Sequence, residues 1–408
     1  MALSIEERVA LLMQGTEYGD SHLKQAMADG LRERLLAVEK EGRPLRVYCG
    51  FDPRTSDLHL GHTVPMRKMR QFQELGHDVT FVVGRFTSLV GDPSDKDKLR
   101  PQLTAEEAAH NAQTYAEQAY KILDKKSTRI AFNDTWLSEL TFKDVIELAA
   151  NFTIQQFLTR ENFRKRWDAG DPVFLHEFFY AIMQGYDAYH LKADVQIGGT
   201  DQLFNIVTAA RKLMEALGEK PNIAIILGIL PGTDGEIKMS KSLGNHIPLN
   251  TSPEDMYGKV MSVPDAAMGD YFRLVTRWNP DEIATVEAGL KAGKLHPRDV
   301  KMKLAREIVA IYHGDDTVEA AEQAFQQVFQ RHGVPDDMDS YAVGRDQSLL
   351  DVLVESGLVK SKSQARRLIQ QKGVSVDEVV QDDPYAGFSF EEEAVLRVGR
   401  RRFLRLTR

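Results

Sequence analysis

Five short apolar runs, separated by stretches of helical periodicity, constrain this chain more than any other feature. They are LRVYCGF (Leu45–Phe51), VTFVVG (Val79–Gly84), RIAFN (Arg129–Asn133), ADVQIGG (Ala193–Gly199) and IAIILGI (Ile223–Ile229). Each is strand length, and most lack the apolar/polar alternation of a half-exposed strand. Strands without a polar face need cover on both sides, which points to a parallel sheet with helices above and below. Leu60–Leu75, a stretch from about Thr104, and Asp201–Leu217 have the periodicity of such helices. The fold class expected is α/β, a doubly wound parallel sheet. The first 45 residues read as amphipathic helix ending at Gly42–Pro44.

The sheet cannot use the whole chain. At 408 residues the length suggests two to four domains. Leu137–Leu191 is helical and rich in aromatics, and reads as an insertion between the halves of the sheet. Pro253 to about Arg331 is helical throughout. His332–Ser348 is polar with Gly and Pro, as in a linker. The formal net charge is −8, yet Ser348–Arg408 holds 11 Lys/Arg against 9 Asp/Glu. A wholly basic nucleic-acid coat is excluded, whereas a local basic patch is not. The single cysteine, Cys49, excludes an intrachain disulfide and Cys-rich zinc sites. The N-terminus has no basic segment leading an apolar core, and no apolar run reaches 18 residues. A reducing cytoplasm, with no membrane partner, is the expected location.

Two motifs carry the chemistry. DPRTSDLHLGHT (Asp52–Thr63) leaves the first strand and enters a helix. His59 and His62, three apart at a helix start, can point to one side, and Gly61 lets a ligand ring approach the backbone. Helix N-termini also favour phosphate. KMSKS (Lys238–Ser242) lies in a Gly-rich loop beyond the last strand. Lys238 and Lys241 there suit a pyrophosphate whose charge grows in a transition state. Singly, paired histidines are commonly capping or packing residues and paired lysines commonly solvated surface. Both at carboxyl ends of strands, where open α/β sheets bind ligands, argue for a site.

HLGH and KMSKS resemble the paired signatures of class I aminoacyl-tRNA synthetases. YCGFDP (Tyr48–Pro53), GDPSDK (Gly91–Lys96), FYAIMQGYDA (Phe179–Ala188) and QIGGTDQ (Gln196–Gln202) are similar in order and spacing to the bacterial-type tyrosyl-tRNA synthetase family. The resemblance covers the whole chain. It implies a Rossmann-like sheet, then an α-helical domain and a small α+β RNA-binding domain. It implies the bounds 1–235 for the catalytic domain with its insertion at about 137–191, 236–252 for the KMSKS loop and linker, 253–331 for an anticodon-side helical domain, 332–347 for a linker and 348–408 for the RNA-binding domain. The implied reaction activates L-tyrosine with ATP to tyrosyl-adenylate, then transfers it to tRNA-Tyr.

Roles follow from the same resemblance. Tyr48 and Asp187 bond the substrate phenol, which chemistry allows because an ionised Asp accepts while a Tyr hydroxyl donates or accepts. Phenylalanine would leave both unpaired. Asp92, Tyr180 and Gln184 take the ammonium group, and Gln202 faces the carboxylate. Tyr180, Gln184 and Asp187, spaced four and three, share one helix face. The nucleotide falls to Gly50, Asp52, His59, Gly61, His62, Gly199, Asp201, Lys238 and Lys241, with Cys49 nearby. Lys96 and Arg100 match a basic loop reaching the pyrophosphate, although a solvated charge run reads the same way. Mg²⁺ enters with ATP, and no protein-bound metal is expected. Three residues depart from the family pattern: Asp95 replaces a common Gly, Arg54 stands where a small Thr is usual, and Pro65 occupies a variable helix position.

The tail reads as two short amphipathic helices and a strand, resembling the RNA-binding domain first described in small-subunit ribosomal protein four. Leu349, Leu350, Leu353 and Leu358 form an apolar stripe, while Lys360, Lys362, Arg366, Arg367 and Lys372 gather cations for RNA backbone. The family is a homodimer, with its interface in the insertion after about Leu137. The alternatives are tryptophanyl-tRNA synthetase, a non-catalytic RNA-binding paralogue and a related nucleotidyltransferase. A phenol-reading pair argues against the first and third, and intact pyrophosphate cations against the second.

Overall fold

The structure is a computed structural model. It describes residues 3–53, 58–93, 117–329, 338–344, 347–377, 379–388, 390, 393–399 and 402–407. These form two compact units, Met1–Val318 and Glu319–Arg408.

In the first unit β1 (Arg46–Phe51), β2 (Asp78–Val83), β3 (Thr128–Phe132), β4 (Val195–Gly199) and β5 (Ile223–Leu227) form one sheet in the order β3-β2-β1-β4-β5. All neighbours are parallel; Val47 faces both Val79 and Val195. Every residue of β5 is buried, which accounts for its unbroken apolar run. The helix Ser21–Glu41 packs on β5, and Leu60–Glu74 packs on β1, β2 and β4. The strand order reverses between β1 and β4, so their carboxyl ends flank a crevice. The insertion supplies the helices Phe142–Ala149, Ile154–Phe157, Glu161–Ala169 and Leu175–His190. Pro253–Met261, Met268–Val275, Pro280–Lys291 and Pro297–His313 follow β5.

Three local readings need correction. The N-terminal region is two helices, Ile5–Met13 and Ser21–Glu41. Gly15 and Gly19 turn the chain between them at φ 74° and 68°, and the Asp20 carboxylate restarts the helix by accepting from His22 and Leu23 N–H. The stretch Asp201–Leu217 is not one α-helix. A 3₁₀ turn (Thr200–Gln202) and a π-helical segment (Phe204–Ala210) precede the α-helix Arg211–Ala216. The segment packs closely on Leu175–His190, where a Cβ on Gly185 would lie 3.3 Å from Ala210 Cα. Finally, the polar stretch before Ser348 contains a strand, β6 (Ser340–Ala342), too short to show a period.

In the second unit β6, β7 (Val374–Val376), β8 (Val379–Val380), β9 (Glu393–Val398) and β10 (Arg402–Thr407) are ordered β6-β10-β9-β7-β8. β9 and β10 are antiparallel, and β6 runs parallel to β10. The helices Leu349–Glu355 and Lys362–Gln370 share its core, with Leu349, Leu353 and Ile369 beside Leu396, Leu404 and Leu406. The helix Val318–Phe329 starts at the last residue of the first unit.

Candidate active site

A cavity of about 660 Å³ opens at the carboxyl ends of β1, β4 and β5. HLGH lies on one side of it and KMSKS on another. His59 is the N-cap of Leu60–Glu74. Its Nδ1 accepts from Gly61 N–H at 3.2 Å, and His62 Nδ1 accepts from His59 N–H at 3.2 Å. An accepting Nδ1 puts the proton on Nε2, so both rings are neutral donors. Burial, and then neighbouring positive charge, lowers His59 to about 3 and His62 to about 4. A Cβ on Gly61 would meet the His59 ring at 3.0 Å, which gives this glycine a second reason beyond ligand approach.

The two motifs are stitched together by main chain. Leu60 N–H donates to Ile247 O at 3.0 Å, and Leu249 N–H to Leu58 O at 2.9 Å. Asn245 organises the loop. Its Oδ1 accepts from Ser240 N–H at 2.8 Å, and its Nδ2 donates to Asp234 at 2.6 Å and to the Ile237 and Lys238 carbonyls at 3.3 Å. Met239 is buried against Gly61. Lys238 lines the cavity; Lys241 begins a short 3₁₀ turn on the exposed side and does not.

Across the cavity, Leu175–His190 places Tyr180, Gln184 and Asp187 on the lining, as their spacing requires. Asp187 is 3% exposed. Trp136 Nε1–H donates to its Oδ1 at 2.7 Å, and Asn133 Nδ2 to its Oδ2 at 3.3 Å. Burial pushes the carboxyl up to about 7; the two donors oppose the rise and Asp52 adds to it. Tyr48 lies beneath, packed with Trp136, and its hydroxyl donates to Gln184 O at 3.2 Å. Burial, then the charge of Asp187, raises that phenol well above its ordinary value. Tyr48 is not among the residues lining the cavity.

A polar ring surrounds the middle. Tyr180 donates to Asp52 Oδ2 at 3.0 Å, and Thr87 donates to Asp52 Oδ1 at 2.8 Å. Gln202 Nε2 donates to Asp92 at 2.6 Å. Asn205 Nδ2 donates to both Gln202 Oε1 and Gln184 Oε1 at 3.0 Å. Gly50, Cys49, Gly199 and Asp201 also line the cavity. A Cβ on Gly199 would lie 2.6 Å from Asp201 Oδ1, so a side chain there would displace that carboxylate. Lys96, Arg100, Asp95 and Arg54 lie outside the described residues, as does the start of the helix expected from Thr104, of which 117–119 are helical. Among the described residues no group of three His, Cys, Asp or Glu side chains is placed to hold a metal ion.

Asn133, Trp136, Thr87, Asn205 and Asn245 were not singled out from sequence. Asn133 and Trp136 follow β3 directly, a position at a strand's carboxyl end that offers a signal. In the second unit Lys360, Lys362, Arg366, Arg367 and Lys372 are all exposed. Lys362 pairs with Asp351 at 2.8 Å, and Arg366 donates to the Tyr385 hydroxyl at 3.2 Å.

Comparison with known proteins is consistent across sequence and fold. Residues 40–330 match the family model of class I tRNA synthetases (W and Y), and residues 347–386 match the S4 domain. The tyrosine–tRNA ligase of Moorella thermoacetica is 48% identical over 379 residues, covering 93% of this chain and 92% of that protein. The tyrosine–tRNA ligase of Haemophilus ducreyi is 44% identical over 407 residues, covering 100% of both. A truncated mitochondrial tyrosyl-tRNA synthetase of Aspergillus nidulans shares the fold at 24% identity, with a TM-score of 0.61 over 80% of this chain and 94% of that one. The Archaeoglobus fulgidus tyrosyl-tRNA synthetase, solved with L-tyrosine, shares it at 22% identity and a TM-score of 0.59, over 78% and 99%.

Proposed function

From the premise that this chain belongs to the class I tRNA synthetases (W and Y) and has the activity of a tyrosine–tRNA ligase, we propose how its residues divide the work. The observation that carries the assignment is Asp187, a buried carboxylate held by Trp136 and Asn133 at the floor of the cavity. A buried acceptor there recognises a phenol hydroxyl and penalises a ring without one. Tyr48, beneath it, is proposed as the second polar partner, its hydroxyl turning from Gln184 O toward the phenol. Tyr180, Gln184, Asp92 and Gln202 receive the ammonium and carboxylate of the substrate. Their existing bonds to Asp52 and Asn205 hold them in place before binding.

The tyrosine carboxylate is ionised at neutral pH and needs no general base. One of its oxygens attacks the α-phosphorus of ATP in line. A carbon-bound oxygen joins phosphorus as the bond to pyrophosphate breaks, and pyrophosphate leaves with the electron pair. The enzyme contributes position and charge. His59 and His62 donate from Nε2 to phosphate oxygens, with the helix N-terminus behind them. Gly50, Asp52, Gly61, Gly199 and Asp201 cradle the nucleoside. Lys238 meets the phosphates directly; Lys241, Lys96 and Arg100 add positive charge toward the pyrophosphate. Mg²⁺ would enter with ATP and supply positive charge against the triphosphate. The terminal ribose hydroxyl of the tRNA then attacks the adenylate carbonyl, and AMP departs.

In this reading residues 1–235 and 236–252 perform the chemistry, while 253–331 and, beyond the 332–347 linker, 348–408 serve tRNA-Tyr. Lys360, Lys362, Arg366, Arg367 and Lys372 meet its backbone. The chain works as a homodimer in the cytoplasm; among the described residues no helix is long and apolar enough to cross a membrane. The decisive test is amino-acid-dependent exchange of labelled pyrophosphate into ATP with each of the twenty amino acids. Exchange with tyrosine alone is expected. Exchange with tryptophan instead would overturn the assignment of Asp187 and Tyr48.

A further inference from the structure

Tyr385 is the one aromatic residue of the second unit with an exposed ring among the described residues, at 66%. It is nevertheless held. Its hydroxyl accepts from Arg366 Nη2 at 3.2 Å. Its N–H donates to Asp383 Oδ1 at 2.9 Å. The carbonyls on either side of it, Pro384 and Ala386, accept from Leu350 and Leu349 N–H at 3.0 Å. Those two amides belong to the first turn of Leu349–Glu355, where helix donors lack intrahelical partners. The loop therefore completes a helix, and its backbone is fixed on both sides of the ring.

A rigid aromatic face left in water contributes little to folding but costs little to order on binding. Its neighbours include two cations, set among the carboxylates of Asp383 and Asp351. Arg366 is oriented by the phenol oxygen itself. Lys362 lies one turn earlier on the same helix face, set by its ion pair with Asp351. An aromatic plane beside fixed cations matches one ligand chemistry well: an unpaired base, which stacks, with phosphates on either side. A duplex offers its bases no such access, so the partner is a single-stranded or loop nucleotide.

We propose that Tyr385 is a stacking platform for an unpaired base of the tRNA, with Arg366 and Lys362 taking the adjoining phosphates. This rests on the reading that the second unit holds tRNA. The experiment uses the full chain and a tRNA-Tyr transcript, and compares Tyr385→Ala, Tyr385→Phe and the paired charge variant Lys360→Ala/Arg367→Ala. Steady-state aminoacylation gives KM for tRNA and kcat separately. Tyrosine-dependent pyrophosphate exchange reports whether each variant retains an intact catalytic unit. Tyr385→Ala is expected to raise KM for tRNA roughly 5- to 100-fold, the range seen when a stacking aromatic is removed. Tyr385→Phe, which keeps the ring and loses the hydroxyl, is expected to stay within about twofold of the parent. If Phe is as damaging as Ala, the residue only tethers Arg366 and the stacking role is wrong. If Ala changes nothing while the charge variant raises KM, the unit binds tRNA without Tyr385. If neither variant alters KM, the underlying reading of the second unit fails as well.

Discussion

At the scale of single residues the sharpest consequence concerns Asp187. Its carboxyl titrates near 7, far above an ordinary aspartate, because burial outweighs the donors Trp136 and Asn133. The ionised form is the acceptor, so kcat/KM for tyrosine should fall as pH drops below about 7. The neighbouring histidines do not produce this limb, since burial holds both neutral until about pH 4 or lower. Trp136→Phe removes the shortest bond to the carboxylate and should move the limb to higher pH; an unmoved limb would detach it from Asp187. Asp187→Asn should lower kcat/KM for tyrosine by about 10- to 150-fold through loss of a charged hydrogen bond, while leaving phenylalanine nearly unaffected. An unchanged ratio between the two substrates would remove Asp187 from recognition. His59, His62, Tyr180, Gln184 and Asp187 were legible because motif and helical spacing put them on one side. Trp136 and Asn133 were not, because their partner lies 51 and 54 residues away and only the fold brings them together.

At the scale of elements, the loop carrying KMSKS depends on one side chain. Asn245 bonds Ser240, Asp234 and two carbonyls of the strand-like approach to the motif. Asn245→Ala should lower kcat for tyrosine activation by about 10- to 100-fold through misplacement of the lysines, with the tyrosine dissociation constant preserved. A pure rise in tyrosine KM would refute the positioning role. A second element-level device is Lys68, whose buried ammonium donates to Leu11 O at 3.0 Å and Gln14 O at 2.9 Å, joining Leu60–Glu74 to the end of Ile5–Met13. Burial lowers its pKa to about 7 from an unfolded value of 10.5, so between these pH values the unfolded chain binds more protons. Stability should therefore rise with pH across that window on account of this group. Lys68→Met should flatten the pH dependence of the urea midpoint between pH 7 and 10; a slope equal to that of the parent would place the proton uptake elsewhere. Strands were easy to read because buried apolar runs have few alternatives. The π-helical segment Phe204–Ala210 was not, because its register answers to close packing at Gly185, a tertiary demand with no local sign.

At the scale of the whole molecule, the parallel sheet and the basic tail were visible as changes in pattern and charge, whereas β6 was hidden by its three-residue length. The surface holds a less legible signal. Scattered exposed apolar side chains are normal. Yet of the seventeen exposed large apolar residues among the described ones, six (Phe142, Ile146, Ile154, Trp167, Phe174 and Leu175) fall within the inserted segment. Phe142 is 81% exposed and shares a helix face with Ile146, four residues on. A concentration of this kind on one segment is what a docking surface presents. We propose a second copy of the chain as its occupant, since a two-fold interface uses the same segment of both subunits. Sedimentation velocity at micromolar concentration should give twice the 46.0 kDa chain mass. Phe142→Glu/Ile146→Glu should shift the population toward the single chain without unfolding it, because neither side chain is buried within one copy. A parent protein that sediments as a monomer at tens of micromolar, or a variant that stays dimeric, would show that the insertion faces something other than its own twin.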